Sequence, residues 1–286
     1  MTKKHILFLL VCAMALAEKL PAQKNTKPLY TANFAVQAYT YRNYFPKDAV
    51  ATLDTIQKLG VTEIEGSGGR ISNDDFRKLC EDRGISIPST GASYKDLVEN
   101  PMTVVEQAKT LGSKFVMCAW VPHERGNFTI EDAKRTVEDF NAAGKILKEN
   151  GLTFCYHAHG YEFQPYGKGT LLDYIIENTD PEYVSFEMDV FWVHFGGGDC
   201  VKLLKKYGDR WKLIHLKDMK PGIAKDLTGG TDVEYNVPLG TGEVDIEGII
   251  RQANKIGIKH FFIEDESSQV LSQVPQSIAY LKSLTQ

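Results

Sequence analysis

Eight times over, this chain follows a short run of β-branched and aromatic residues with a longer segment of helical period. Few folds accept that alternation. The runs are FAVQAY (34–39), VTEIE (61–65), ISIPS (85–89), KFVMCAW (114–120), LTFCYH (152–157), YVSFEMD (183–189), WKLIHLK (211–217) and HFFIED (260–265). Strands buried on both faces read as continuous apolar runs of this kind. Helical segments are predicted at 47–59, 73–83, 103–111, 129–150, 171–178, 199–207, 245–256 and 267–284. In the first, Ala49, Val50, Leu53 and Ile56 keep helical spacing, and Gly60 follows as a normal helix end. The order helix, glycine, apolar strand recurs along the chain, as at αβ junctions. Eight such units in about 255 residues match a (β/α)₈ TIM barrel of the α/β class. A doubly wound open sheet is the alternative. It often carries a glycine-rich phosphate turn after its first strand, where this chain has VQAYTYRNY. No linker or low-complexity tract divides the chain, so one barrel domain is expected over 30–286.

The first residues stand outside this pattern. Lys3, Lys4 and His5 form a basic head, and residues 6–17 are apolar but too few to span a bilayer. Small residues follow at Ala15, Ala17 and Ala22. This is the shape of a secretory signal peptide over 1–22, cut near 17–22; an uncleaved anchor is the alternative. Export is expected, to the periplasm or outside the cell, with no membrane association after processing. The formal net charge of −4 contains no long run of one sign, so no nucleic-acid surface is suggested. Cys80, Cys118, Cys155 and Cys200 show no CxxC spacing and are expected as free thiols.

One connection is abnormal: residues 218–245 lack a clear helical or strand pattern. Unstructured loops of that length are often lids or binding loops. In such barrels the active site forms at the C-terminal ends of the strands. Here five strands end in ionisable residues: Glu63 and Glu65; His157, His159 and Glu162; Glu187, Asp189 and His194; His215, Lys217 and Asp218; and Glu264, Asp265 and Glu266. Converging carboxylates repel one another, and a divalent cation would relieve them. A mixed Glu, Asp and His set suits Mn²⁺, Zn²⁺ or Mg²⁺.

The ordered segments YHAHGYEF, EMDVFWVHFGGGD, IHLKDMK, VPLGTGEVD and FFIEDE resemble those of the xylose isomerase-like sugar isomerase/epimerase superfamily, over nearly the whole chain from Phe34 to about Leu284. The resemblance implies a (β/α)₈ barrel holding one divalent ion, Mn²⁺ before Zn²⁺ or Mg²⁺. By position it implies Asp189, His215 and Glu264 as ligands. In the ketose-epimerase branch a glutamate on strand five precedes a second by six residues. Glu162 matches the second, and Tyr156 stands at the first. Glu162 is therefore the expected fourth ligand, with a histidine of YHAH or water as the alternatives.

Such a site supports proton abstraction next to a carbonyl. His157 and His159 are the base candidates, since imidazole titrates near neutrality; both as structural histidines is the alternative. One of the two is expected to point inward and the other away. Glu264 is expected to double as ligand and base. Lys217 would polarise the substrate or else pair with Asp218 or Glu187. Glu65, Trp192, His194 and Tyr39 are candidate substrate contacts, against plain packing for the aromatics. His123 and His260 are read as structural. The leading expectation is an isomerase or epimerase acting on a sugar by way of an enediolate. A lyase or hydratase acting on a keto-glycoside is second, because expelling a β-substituent needs the same site. A DNA-repair endonuclease would need more histidines and a basic groove. A non-catalytic sugar-binding protein remains a further alternative. Homo-oligomerisation is left open.

Overall fold

The computed structural model describes residues 27–286; the assigned leader lies outside them. Eight parallel strands close into a barrel in sequence order. They are β1 (Ala35–Gln37), β2 (Glu63–Glu65), β3 (Ser86–Gly91), β4 (Phe115–Cys118), β5 (Thr153–Ala158), β6 (Val184–Asp189), β7 (Trp211–Leu216) and β8 (His260–Ile263). β1 pairs with both β2 and β8, which completes the ring. The predicted TIM barrel is therefore the observed fold.

The alternation of strand side chains sorts the sequence into two cores. Outward residues pack under the helices in one continuous apolar cluster, with Phe154, Phe186, Ile214 and Phe261 among them. Inward residues Ala35, Cys155, Leu213 and Phe262, flanked by Phe115 and Met117, plug the barrel itself. Glu63 and His260 pair at 2.8 Å at the amino-terminal ends of β2 and β8, far from the strand tops. His260 is structural, as read from the sequence.

The helices begin and stop where local chemistry dictates. The 20-residue helix Ile130–Glu149 opens with a reciprocal capping box between Thr129 and Asp132. The helix Ile246–Ile256 ends at Gly257, whose φ of 83° a residue with a Cβ adopts only under strain. The third unit carries two helices, Tyr94–Glu99 and Pro101–Leu111, because Pro101 is tolerated at a first helical position. All four described cysteines are free and buried. Among the described residues no helix is long and apolar enough to cross a membrane.

The 218–245 connection is ordered around a single carboxylate. Asp218 accepts hydrogen bonds from the backbone N–H groups of Met219, Gly240, Gly242 and Val244, at 2.8, 2.9, 3.0 and 3.1 Å. A two-residue antiparallel pairing of Asp218–Met219 with Asn236–Val237 closes the loop. This folds Gly229, Gly230, Thr231, Val233 and Asn236 over the barrel mouth.

Candidate metal centre

Three strands set their last inward side chains against one another at the barrel top. β5 supplies His157, β6 supplies Glu187 and Asp189, and β7 supplies His215. The register places His157 beside Glu187 and Asp189 beside His215. All four are buried. Past the end of β8, Glu264 approaches His215 Nδ1 at 3.2 Å.

Each imidazole has one nitrogen on a glutamate and the other facing Asp189. His157 Nδ1 lies 3.2 Å from Glu187 Oε2, and its Nε2 lies 3.8 Å from Asp189 Oδ2. His215 Nε2 lies 2.5 Å from Glu65 Oε2, and its Nδ1 lies 3.8 Å from the same Asp189 oxygen. Asp189 Oδ1 is occupied by the N–H groups of Phe191 and Trp192, at 2.8 and 3.1 Å, and so caps the helix Val190–Phe195. Asp189 Oδ2 has no hydrogen-bond donor and is buried.

This arrangement fits a cation. Ligands of a common ion with bonds of about 2.1 Å lie roughly 3–4 Å apart. Both imidazoles meet that spacing to Asp189 Oδ2, the ligand atoms of all three residues lie within 4.8 Å of one another, and Glu264 joins them through His215 Nδ1. A second cluster, Glu65, Glu187 and His215, sits deeper. There the 2.5 Å contact leaves no room for an ion between Glu65 and His215. Those two glutamates instead orient the histidines from behind, as outer partners of metal-ligating imidazoles do. A divalent ion would also give the orphaned Asp189 oxygen a partner; an unsatisfied buried charge is costly.

The protonation pattern follows from the charges. Burial alone would lower the pKa of His215, but Glu187 and Glu65 raise it well above the usual imidazole range. Burial opposes ionisation of Glu187, yet His215 and the His157 hydrogen bond hold its pKa below the ordinary carboxylate value. Burial, followed by the charge of Glu187, raises Glu65. Burial raises Asp189.

The chain belongs to the xylose isomerase-like TIM barrel family. The family's description matches residues 53–284. An inosose dehydratase of Salmonella typhimurium is 31% identical over 157 residues, which cover 51% of this chain and 50% of that protein. The chain thus spans about half the length of this curated relative. A crystal structure named as a sugar phosphate isomerase/epimerase from Parabacteroides distasonis superposes with a TM-score of 0.74 at 26% identity, covering 89% of this chain and 94% of the other. An IolI protein solved with a bound zinc atom shares the fold with a TM-score of 0.68 at 15% identity, covering 87% of this chain and 95% of that one.

Within this xylose isomerase-like barrel, the predicted residues separate into groups. His157, His159, His215, Glu264, Trp192 and Tyr39 line one cavity of about 640 Å³. Both histidines of YHAH face it, which corrects the expectation that only one would: residues two apart on a strand leave from the same face, and His159 keeps that side in the turn just beyond the end of β5 at Ala158. The turn depends on Gly160, whose φ is 93°; a Cβ there would meet the Trp192 carbonyl oxygen at 2.9 Å.

Glu162 is not brought to the ion-sized gap. Both its oxygens accept from the His159 N–H, at 3.0 and 3.1 Å, and one also accepts from the Tyr156 hydroxyl. The gap's β5 side is formed by His157 instead. Glu65 is also displaced from its expected role: it is fully buried, bonded to Gln37 and His215, and absent from the cavity wall. His194 turns away to Glu243 at 2.9 Å and ties the helix Val190–Phe195 to the 218–245 loop. Lys217 pairs with Glu264 at 3.6 Å and with Glu266, rather than with Asp218 or Glu187. It lies under the rings of Phe191 and Trp192, off the cavity wall. Burial opposes its charge, but Glu264, Glu266 and Asp189 raise its pKa, so it stays an ammonium and holds Glu264 in place.

His159 stands apart from these pairs. Its ring stacks on Trp192 at 4.3 Å and meets the edge of Trp120 at 5.5 Å. Its Nδ1 has no hydrogen-bond partner. Burial, then His157 and Lys217, hold its pKa well below the usual imidazole range.

Proposed function

We propose that this protein is a divalent-metal-dependent lyase that removes a β-substituent from a keto sugar or keto-cyclitol. The observation that carries the reading is the state of His159: an unpartnered imidazole, held neutral, on the cavity wall beside the candidate ligands. Tyr156 stands where the ketose-epimerase branch has the first glutamate of β5, and Glu162, at the second position, is engaged by Tyr156 and the His159 N–H. The site therefore presents one basic imidazole rather than two carboxylates on opposite faces of a sugar.

His157, Asp189, His215 and Glu264 would hold the ion. When bound, it would supply Lewis-acid polarisation of the substrate carbonyl and a neighbouring hydroxyl. The protein's own groups do the rest. Trp192 fixes the His159 ring by stacking, and Glu162 fixes its backbone. A ring nitrogen of His159 accepts the proton on the carbon next to the carbonyl. The electron pair of that C–H bond forms a C=C bond as the β carbon–oxygen bond breaks. The leaving oxygen takes the proton from the imidazolium and departs as water or an alcohol. The 218–245 loop, folded over the mouth, limits water entry.

The name of the Salmonella typhimurium relative supports the elimination outcome and reverses the order of the two expectations drawn from the sequence. The isomerase reading remains the second, supported by the name of the Parabacteroides distasonis structure. A single base that returns its proton to the adjacent carbon would produce it.

Incubating the Mn²⁺-loaded protein with a keto-cyclitol and with a methyl keto-glucoside in deuterated water separates the readings. Loss of water or methanol with appearance of an enone supports the lyase. A product of unchanged composition carrying deuterium supports the isomerase. Absence of both turnover and deuterium exchange sinks both readings.

A further inference from the structure

The cavity extends well past the candidate ligands. From His157, His215 and Glu264 it runs beyond the end of β1 to Tyr39, Arg42, Phe45 and Pro46. At the roughly 30 Å³ that one water takes in the liquid, the twelve heavy atoms of a hexose would fill at most ~360 Å³. The cavity holds about 640 Å³. A single sugar ring anchored at the cluster leaves the Arg42 end open.

Among the described residues, Arg42 carries the one guanidinium or ammonium group on the cavity wall. It is half-buried and stacks on the Tyr39 ring at 4.7 Å. One terminal nitrogen donates to the Tyr39 carbonyl at 3.3 Å, and the other to the Glu266 carbonyl at 2.6 Å. Both acceptors are neutral. The Glu266 carboxylate is turned to Lys217, and among the described residues no carboxylate forms an ion pair with Arg42. A guanidinium has five donors in a rigid fork. Two are engaged by carbonyls, which hold the plane in position, and the rest are available to the cavity. A partly desolvated cation with fixed geometry and no counter-ion suits a carboxylate or phosphate, which a planar fork binds with two parallel hydrogen bonds.

We infer that the Arg42 end of the cavity is a second subsite, which binds an oxyanion-bearing substituent on the part of the substrate remote from its carbonyl. The inference rests on the proposed function only in placing the carbonyl at the metal-ligand cluster. The Tyr39 ring, more than half exposed at the rim, forms the side wall of this subsite.

The test is binding, which needs no turnover. Glucuronate, glucose 6-phosphate and glucose are titrated calorimetrically into the Mn²⁺-loaded wild type, Arg42→Gln and Arg42→Lys, at about 0.05 M and about 0.5 M salt. At low salt, at least one anionic probe binds the wild type about tenfold tighter than glucose. Preference for glucuronate assigns a carboxylate, and preference for glucose 6-phosphate assigns a phosphate. High salt and Arg42→Gln each remove the preference, while Arg42→Lys keeps part of it, since a point charge attracts without the fork. Equal affinities, absence of binding by all three probes, or a preference that survives Arg42→Gln overturns the inference. Should Arg42→Gln unfold, the wild-type salt series and Arg42→Lys still decide it. Deuterium exchange next to the carbonyl is read separately, so failure of the lyase reading is told apart from failure of this one.

Discussion

His157 and His215 cross edge to face at the barrel top, with ring centroids 4.7 Å apart and planes inclined at 69°. They come from β5 and β7, on either side of β6, and neither donates to the other. Each is tethered from behind by a glutamate and faces Asp189 in front. Two imidazoles arranged so are ready to ligate, because their tautomers are set by the rear hydrogen bonds.

Glu187 is the shared tether, 3.2 Å from His157 Nδ1 and 3.3 Å from His215 Nε2. Glu187→Gln keeps the shape and removes the charge. The expected result is a fall in metal affinity of about 10- to 100-fold with the fold intact. Competition of Mn²⁺ or Zn²⁺ against a chelator measures it. Unchanged affinity would detach Glu187 from the metal centre.

Asp189 has two separable duties, one for each oxygen. Asp189→Asn keeps an acceptor for the Phe191 and Trp192 N–H groups, whereas Asp189→Ala does not. Both variants should be purified with almost no metal. Asp189→Ala should also be less stable than Asp189→Asn by about 1 kcal/mol, the usual worth of a helix N-cap. Metal analysis and urea unfolding of the two metal-free variants give both numbers.

His159→Gln tests the base. The residue is placed beside the ligand set and not in it, so metal content should match the wild type. Exchange of the proton next to the carbonyl should fall by about 10²- to 10⁴-fold. If metal were lost together with activity, His159 would be a ligand and the division of labour on β5 would be wrong.

The barrel was legible because period and length both speak for it: eight runs, each closed by a glycine or a cap, leave little freedom. Asp189, His215 and Glu264 could be found because each sits where an apolar strand stops. Glu187 shares Asp189's side of β6, two residues earlier, and that parity was a usable signal for its inward position. Glu162 and Glu65 were misplaced for a physical reason. Sequence position tells which face a carboxylate leaves from, but not which donor captures it. Tyr156 and the His159 N–H capture Glu162, and His215 captures Glu65, through contacts between segments that only closure of the barrel creates. Arg42 gave no signal, since its place on the wall depends on a carbonyl 224 residues away.

Acid sensitivity should reside partly in Asp173. Burial would raise its pKa, but Lys206, Tyr207 and Thr170 hold it at about 2, against an ordinary 3.8. Its Oδ1 accepts from Lys206 at 2.8 Å, and its Oδ2 from the Thr170 N–H at 2.8 Å, which links two neighbouring helices. A carboxylate with a depressed folded-state pKa contributes stability that is fully present above its unfolded value and lost as pH falls through the folded one. The stability gap between wild type and Asp173→Asn should therefore be largest above about pH 4 and shrink toward pH 2. Urea midpoints at a series of pH values measure it, and a gap that widens on acidification would remove Asp173 from the account.

The mouth loop should fail at Asp218 before the barrel does. Its two oxygens take four N–H groups from the loop's two ends, and Gly242 passes so close that a Cβ would lie 2.2 Å from the carboxylate. Asp218→Asn replaces one acceptor oxygen by an NH₂ group, which leaves two N–H groups facing a donor. Each buried unsatisfied group costs about 1–3 kcal/mol, and the strain is local, because the barrel strands do not use this carboxylate. Protease cleavage within 220–244 should accelerate sharply while the thermal midpoint of the barrel moves little. KM should rise more than kcat falls, because Gly229, Thr231 and Asn236 line the cavity and the candidate ligands do not move. Equal loss of metal and activity in this variant would instead make the loop part of the ion's own support.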